Sequence, residues 1–145
     1  MMENIMSKND LSNSVIFPKG DVLPPQFSKN FIGTAWLKML VPGGNEFCCP
    51  IGNVTFEPGC HNNWHKHPGG QILLVTGGRG WYQEEDKPAR ELHAGDVVMI
   101  EAFVKHWHGA AKDSWFVHLS IETNSQAGPA QWLEPVSDEV YNKLK

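Results

Sequence analysis

Between Phe31 and Glu122 no apolar stripe of helical period runs for ten residues without meeting a glycine or a proline. A parallel sheet needs crossover connections of roughly a dozen residues or more, usually helical, so a doubly wound α/β fold has no material here. The same stretch repeats one pattern: short apolar or alternating runs separated by Gly, Pro, Asn and Asp. Runs over 31–41, 51–57, 64–76, 80–84, 89–93, 96–100, 105–110 and 114–122 read as strands, and Pro42-Gly43-Gly44-Asn45 breaks the first from the second. Gly77-Gly78-Arg79-Gly80 reads as a tight turn between strands. It lacks the GK[ST] ending and the following helix of a phosphate loop. Many short strands with glycine-rich turns predict an all-β domain, an antiparallel sandwich or barrel. Only the end of the chain differs. Ser137 caps a predicted helix over 138–143, with Asp138 and Glu139 in its first turn and Lys143 at its end.

A chain of 145 residues fits one domain, since domains cluster at about 100–150 residues. Polar residues over 1–12 predict a loose tail, leaving 13–145 as the single domain. From Val15 the chain reads as a short extended piece ending at Pro24-Pro25. Twelve Lys and Arg against sixteen Asp and Glu give a net charge of -4, which offers no basic footprint for nucleic acid. The longest strongly apolar runs, Ile72-Leu73-Leu74-Val75 and Val97-Val98-Met99-Ile100, fall far short of the roughly 20 residues that cross a bilayer. The first ten residues have no apolar core and do not read as a signal peptide. Three cysteines, Cys48, Cys49 and Cys60, form no CxxC pair, and the expected setting is a reducing, cytoplasmic one.

Seven histidines are the main chemical signal: His61, His65, His67, His93, His106, His108 and His118. His65-Lys66-His67 and His106-Trp107-His108 share one spacing. Residues two apart on a strand face the same side, so each pair presents both imidazoles together. Gln71 keeps the parity of His67 unless Pro68-Gly69-Gly70 inserts a bulge or turn, which would itself swing Gln71 back toward the histidines. Neutral imidazoles with an amide oxygen suit Mn, Fe, Co, Ni or Zn. His61 shares the face of His65 if its strand has begun by then, or else sits in a turn. His118 shares parity with Phe116 and Ser120, either on the far wall or in the core. His93, beside Ala94-Gly95, reads as surface. Trp107 belongs to the face opposite His106 and His108, where an aromatic needs cover from the terminal helix, the N-terminal strand or a second subunit.

Gly59, His65, His67, Gln71 and Gly78 stand at the spacing of the first motif of the cupin family, G-x5-H-x-H-x3-E-x6-G. Gly95 and His106 match the first and last positions of the second motif, G-x5-P-x-G-x2-H. Phe56-Glu57-Pro58-Gly59, Trp64-His65-Lys66-His67-Pro68, Gly70-Gln71 and Lys105-His106-Trp107-His108-Gly109-Ala110 resemble, more narrowly, the metal-dependent cupin hydroxynitrile lyases and their relatives. The resemblance implies a small antiparallel, jelly-roll-like cupin barrel with one divalent metal, Mn or Fe first, held by His65, His67, Gln71 and His106. It also implies a homodimer. Two departures stand out: Gln71 replaces the usual Glu, and Glu101 and Phe103 replace the Pro and Gly of the second motif. In the lyase-like subgroup the glutamine is a ligand.

Three imidazoles and an amide leave the charge of a divalent ion uncompensated, so the ion binds less tightly but remains a stronger Lewis acid. The expected substrate is a small hydroxy, carbonyl or cyanohydrin-like molecule, and the expected reaction is a lyase cleavage. His108 is the nominated proton carrier, since imidazole titrates near neutrality. Two rival readings keep the fold: an Fe-dependent dioxygenase, and a non-catalytic cupin that binds a small ligand.

Overall fold

A computed structural model of the chain describes residues 16–145. The tail expected over 1–12 and the first three residues of the domain expected over 13–145 lie outside that range. Among the described residues twelve strands form one sheet: β1 (Asp21–Val22), β2 (Phe31–Ile32), β3 (Ala35–Val41), β4 (Ile51–Phe56), β5 (His61–Asn62), β6 (His65–Lys66), β7 (Gln71–Glu84), β8 (Arg90–His93), β9 (Val97–Ile100), β10 (His106–Ala110), β11 (Phe116–Glu122) and β12 (Gln131–Trp132). Two short helices join them, α1 (Pro25–Ser28) and α2 (Asp138–Asn142). The sheet runs β1-β3-β4-β11-β7-β10-β5-β2, with β6, β8, β9 and β12 attached beside it. Every pairing is antiparallel, as expected from the missing crossover helices.

The sheet curls because β7 serves both of its halves. The first part of this strand of 14 residues pairs with β11 and β9, and the second part with β10 and β8. The expected turn over Gly77-Gly78-Arg79-Gly80 is therefore wrong: these residues lie inside β7. Gly78 has φ +75°, and a Cβ there would run into the Trp115 carbonyl oxygen. The pairing with β11 shifts register between Val117 and His118. A left-handed glycine and a bulge bend a strand without ending it. The expected strand over 64–76 divides instead at Pro68-Gly69-Gly70, where the Gly70 N–H donates to the His67 carbonyl at 3.1 Å. The strand expected over 31–41 is likewise two, β2 and β3, interrupted at Gly33-Thr34.

Inside the curl, Phe56, Leu73, Leu92, Val98, Ile100 and Phe116 form the buried core. A second cluster lies outside it, where Trp107, Val136 and Tyr141 are buried and Trp64, Trp81, Val140 and Leu144 pack against them. This is the expected cover for Trp107, and the terminal helix supplies it. At five residues α2 is too short to be stable alone. It is held by the Ser137 side chain, which accepts from the Val140 N–H at 3.2 Å, and by the Tyr141 hydroxyl, which donates to the Ala110 carbonyl at 2.6 Å.

Candidate metal centre

Strand alternation brings the histidines together. On β10, His106 and His108 face the interior while Trp107 joins the outer cluster. Antiparallel pairing sets His106 directly opposite His65 of β6, and His67 follows at the end of that strand. One ring nitrogen from each of His65, His67 and His106 lies within 4.8 Å of the others, and all three side chains are buried. Ring centroids are 4.2 Å apart for His65 and His106 and 5.1 Å for His65 and His67.

Hydrogen bonds set the tautomers. The Nδ1 of His65 lies 2.8 Å from the Asn63 carbonyl and that of His106 lies 2.9 Å from the Val104 carbonyl. A carbonyl only accepts, so both rings carry their proton on Nδ1 and keep a lone pair on Nε2. Gln71 reaches the same point from the start of β7. Its Nε2 donates to the Ser120 hydroxyl at 2.7 Å, and its Oε1 lies 3.2 Å from His106 Nε2. Two lone-pair donors thus face each other with no proton between them. A cation placed among them converts this repulsive contact into coordination. Turned over, the amide would fill the same point with its NH2 group. Three imidazole nitrogens and an amide oxygen, all uncharged, fit a borderline divalent ion.

The neighbouring charges refine the expectation of an uncompensated ion. The Glu122 carboxylate lies 3.5 Å from His67 Nδ1, so an anion stands one residue behind the ligand set and offsets part of the ion's charge. Its position at the end of β11 gave no metal-site signal in the sequence. Burial, aided by His106 and His67, holds the His65 imidazole well below its usual pKa, and burial takes His106 down to about 4. Both rings are neutral at neutral pH, the state that binds a metal.

A cavity of about 150 Å³ opens beside this cluster, lined by Phe31, Val54, Phe56, His108, His118 and Trp132, with Asn62 and Ser120 among the polar groups. His108 stacks on Phe56 at 5.7 Å and lies edge-on to His118 at 4.9 Å. Neither nitrogen of His118 has a hydrogen-bond partner among the described residues, nor has His108 Nδ1. Burial lowers the pKa of both, His118 to about 3; for His108 the nearby His118 adds to the effect. His118 and Ser120 line the wall, one of the two placements, far wall or core, that parity left open for His118, while Phe116 of the same parity joins the core. A second, larger cavity of about 640 Å³ adjoins at His67, Glu122 and Trp132 and extends to Gln26, Phe27 and Lys29.

His61 does not join the centre. It stacks on Tyr141 at 3.9 Å and meets Trp107 edge-on at 5.8 Å, on the outer face. Asn62 takes the inward position because the chain breaks between β5 and β6 and parity does not carry across. His93 is exposed on β8, as expected. Asn62, Ser120 and Trp132 were legible only once register was known; Trp132 packs 4.4 Å from the His65 ring.

Residues 52–122 match the cupin domain family. The chain is 41% identical over 113 residues to a protein of Granulicella tundricola named (R)-mandelonitrile lyase, covering 78% of this chain and 86% of that one. A cupin-like protein of Thermotoga maritima is similar in structure, with TM-score 0.83 and 50% identity over 90% of this chain and 96% of the other. A DMSP lyase of Ruegeria pomeroyi shares the fold at TM-score 0.62 and 19% identity, over 86% of this chain and 63% of that one. With its motif histidines gathered inside a curled antiparallel sheet, and with these relatives, the chain belongs to the cupin family.

Proposed function

We propose that the protein is a divalent-metal-dependent lyase acting on a small hydroxy, carbonyl or cyanohydrin-like substrate, an aryl cyanohydrin being the first candidate. The observation that carries this reading is the uncharged donor set of His65, His67, His106 and Gln71 beside an aromatic-walled cavity containing two further buried imidazoles. A cavity of about 150 Å³ accepts a benzene-sized group. The name of the Granulicella relative points the same way.

The ion, Mn or Fe first and Zn, Ni or Co as alternatives, supplies positive charge that polarises a substrate oxygen. Phe31, Phe56 and Trp132 hold the apolar part of the substrate and exclude water. Cyanohydrin cleavage removes the hydroxyl proton, forms the carbonyl and releases cyanide with the electron pair of the broken C–C bond. Cyanide then takes up one proton, so the reaction needs groups that hold and return a proton. His108 and His118, both neutral in the cavity, are between them available to give up and take up these protons. Three free thiols fit a reducing, cytoplasmic setting. We extend the proposal to a homodimer, for which exposed Val97 and Met99 on one face of β9 offer an apolar surface.

The test is a turnover screen of metal-stripped protein reloaded with each ion, with mandelonitrile, in air and under anaerobic conditions. Equal amounts of benzaldehyde and cyanide, released without oxygen and lost in His106→Ala, are expected. Strict dependence on Fe and O₂ with an oxidised product would establish the dioxygenase instead. Ligand-dependent tryptophan quenching without turnover under any ion would establish a binding protein.

A further inference from the structure

We infer that Asn62 is a positioning residue that locks His108 in the Nδ1–H tautomer, making His108 a hydrogen-bond donor to the bound substrate and leaving proton acceptance to another group. The inference deepens the lyase reading and rests on it for the role in turnover. The tautomer itself follows from hydrogen bonding alone.

The His108 backbone N–H can only donate, and it meets Asn62 Oδ1 at 3.0 Å. This contact fixes which end of the amide faces which way. The other end, the Nδ2 amide NH2, lies 3.3 Å from His108 Nε2. An amide NH2 only donates, so Nε2 must accept and cannot carry the ring proton. The proton of the neutral ring therefore sits on Nδ1. Both side chains are buried, at 2% exposure for Asn62 and 4% for His108.

His61, His65 and His106 also carry Nδ1 protons, but each gives its proton to the main-chain carbonyl two residues earlier, at 2.9, 2.8 and 2.9 Å. Their Nε2 lone pairs remain open. In His108 the arrangement is reversed: the Nε2 lone pair is capped by Asn62, and the Nδ1–H has no partner among the described residues, in a ring that lines the cavity. A buried donor left unpaired carries an uncompensated desolvation cost until an acceptor satisfies it. An oxygen or nitrile nitrogen of the substrate is an acceptor of the right chemistry. Among the described residues neighbouring His118 has no partner for either ring nitrogen, one of which is an acceptor in the neutral ring.

The experiment is a long-range ¹H–¹⁵N spectrum of the full chain labelled with ring-¹⁵N histidine and loaded with diamagnetic Zn²⁺, with His108 assigned by the signals missing from His108→Gln. The expected pattern has a protonated Nδ1 and an unprotonated Nε2. In Asn62→Asp, which offers only acceptors, the pattern should reverse. A protonated Nε2 in the unsubstituted protein overturns the inference, whether or not any variant folds. An unchanged pattern in folded Asn62→Asp overturns it too. In the mandelonitrile assay Asn62→Asp should lower kcat by about 10–100-fold, with KM within about threefold. Unchanged kcat removes the role in turnover. No turnover by the unsubstituted protein under any ion overturns the lyase reading and leaves the ring-nitrogen pattern to decide the tautomer.

Discussion

Ser120→Ala is the substitution that most directly separates a glutamine ligand from a glutamine that merely fills space. The Ser120 hydroxyl accepts from Gln71 Nε2 at 2.7 Å while Oε1 faces His106, the orientation that coordination of an ion through Oε1 requires. Removing the hydroxyl leaves a buried amide N–H group without a partner, a cost of about 1–3 kcal/mol if nothing moves. Gln71 has an escape, however. Rotated by half a turn, it donates to His106 Nε2, now 3.2 Å from its oxygen, and recovers a hydrogen bond. Metal-free protein should therefore lose less than about 1 kcal/mol, read from urea unfolding. The rotated amide presents nitrogen where the ion needs oxygen, and loss of such an orienting partner weakens metal binding by about 10–100-fold. That factor corresponds to about 1.4–2.8 kcal/mol. Mn²⁺ affinity measured by chelator competition reads it directly. A Kd within about twofold of the unsubstituted protein, with the same metal-free stability, would refute the claim that Ser120 holds Gln71 as a ligand.

Gln71→Glu adds a negative charge to the donor set and should tighten Mn²⁺ binding at least ~10-fold, because affinity follows ligand charge; chelator competition checks it, and cyanohydrin turnover should fall as the ion's pull on the substrate weakens. Phe103 occupies the left-handed region at φ 66° and is exposed, so Phe103→Gly should stabilise the protein by up to about 1 kcal/mol in a urea titration. His118 stays neutral in the folded protein down to about 3, whereas the unfolded chain protonates near about 6.5. The unfolded state thus binds more protons between those values. Its contribution to stability is complete above the upper value and falls with acidification by up to ~1.4 kcal/mol per pH unit. Denaturant titrations from pH 7 to 4 should show a shallower acid loss in His118→Leu. Trp107→Ala empties a fully buried site under α2 and should cost about 3–5 kcal/mol of unfolding free energy.

What could be read from the chain depended on whether a strand stayed regular. On β10 the alternation of His106, Trp107 and His108 is unbroken, and the inward and outward faces were legible from spacing alone. The terminal helix was legible from its cap, to within one residue at its end. Where the backbone departs from regular pleating, parity failed. His61 and His65 are an even number of residues apart yet face opposite sides, because β5 ends at Asn62 and β6 begins anew. Gly77-Gly78 looked like a turn, since left-handed glycine serves bends and bulges as well as chain reversals. Asn62, Ser120 and Glu122 act through partners more than forty positions away, at His108, Gln71 and His67. Contacts of that range leave no mark in local periodicity.

The bent strand β7 also limits how such a domain can diverge. Gln71 at its head and Trp81 further along belong to different surfaces of the molecule, yet both are carried on one uninterrupted backbone. A single inserted residue between them would turn every later side chain to the opposite face. Length changes in descendants of this sequence should therefore accumulate at hairpin tips such as that around Asp86, while β7 tolerates exchange of side chains but not of residue number.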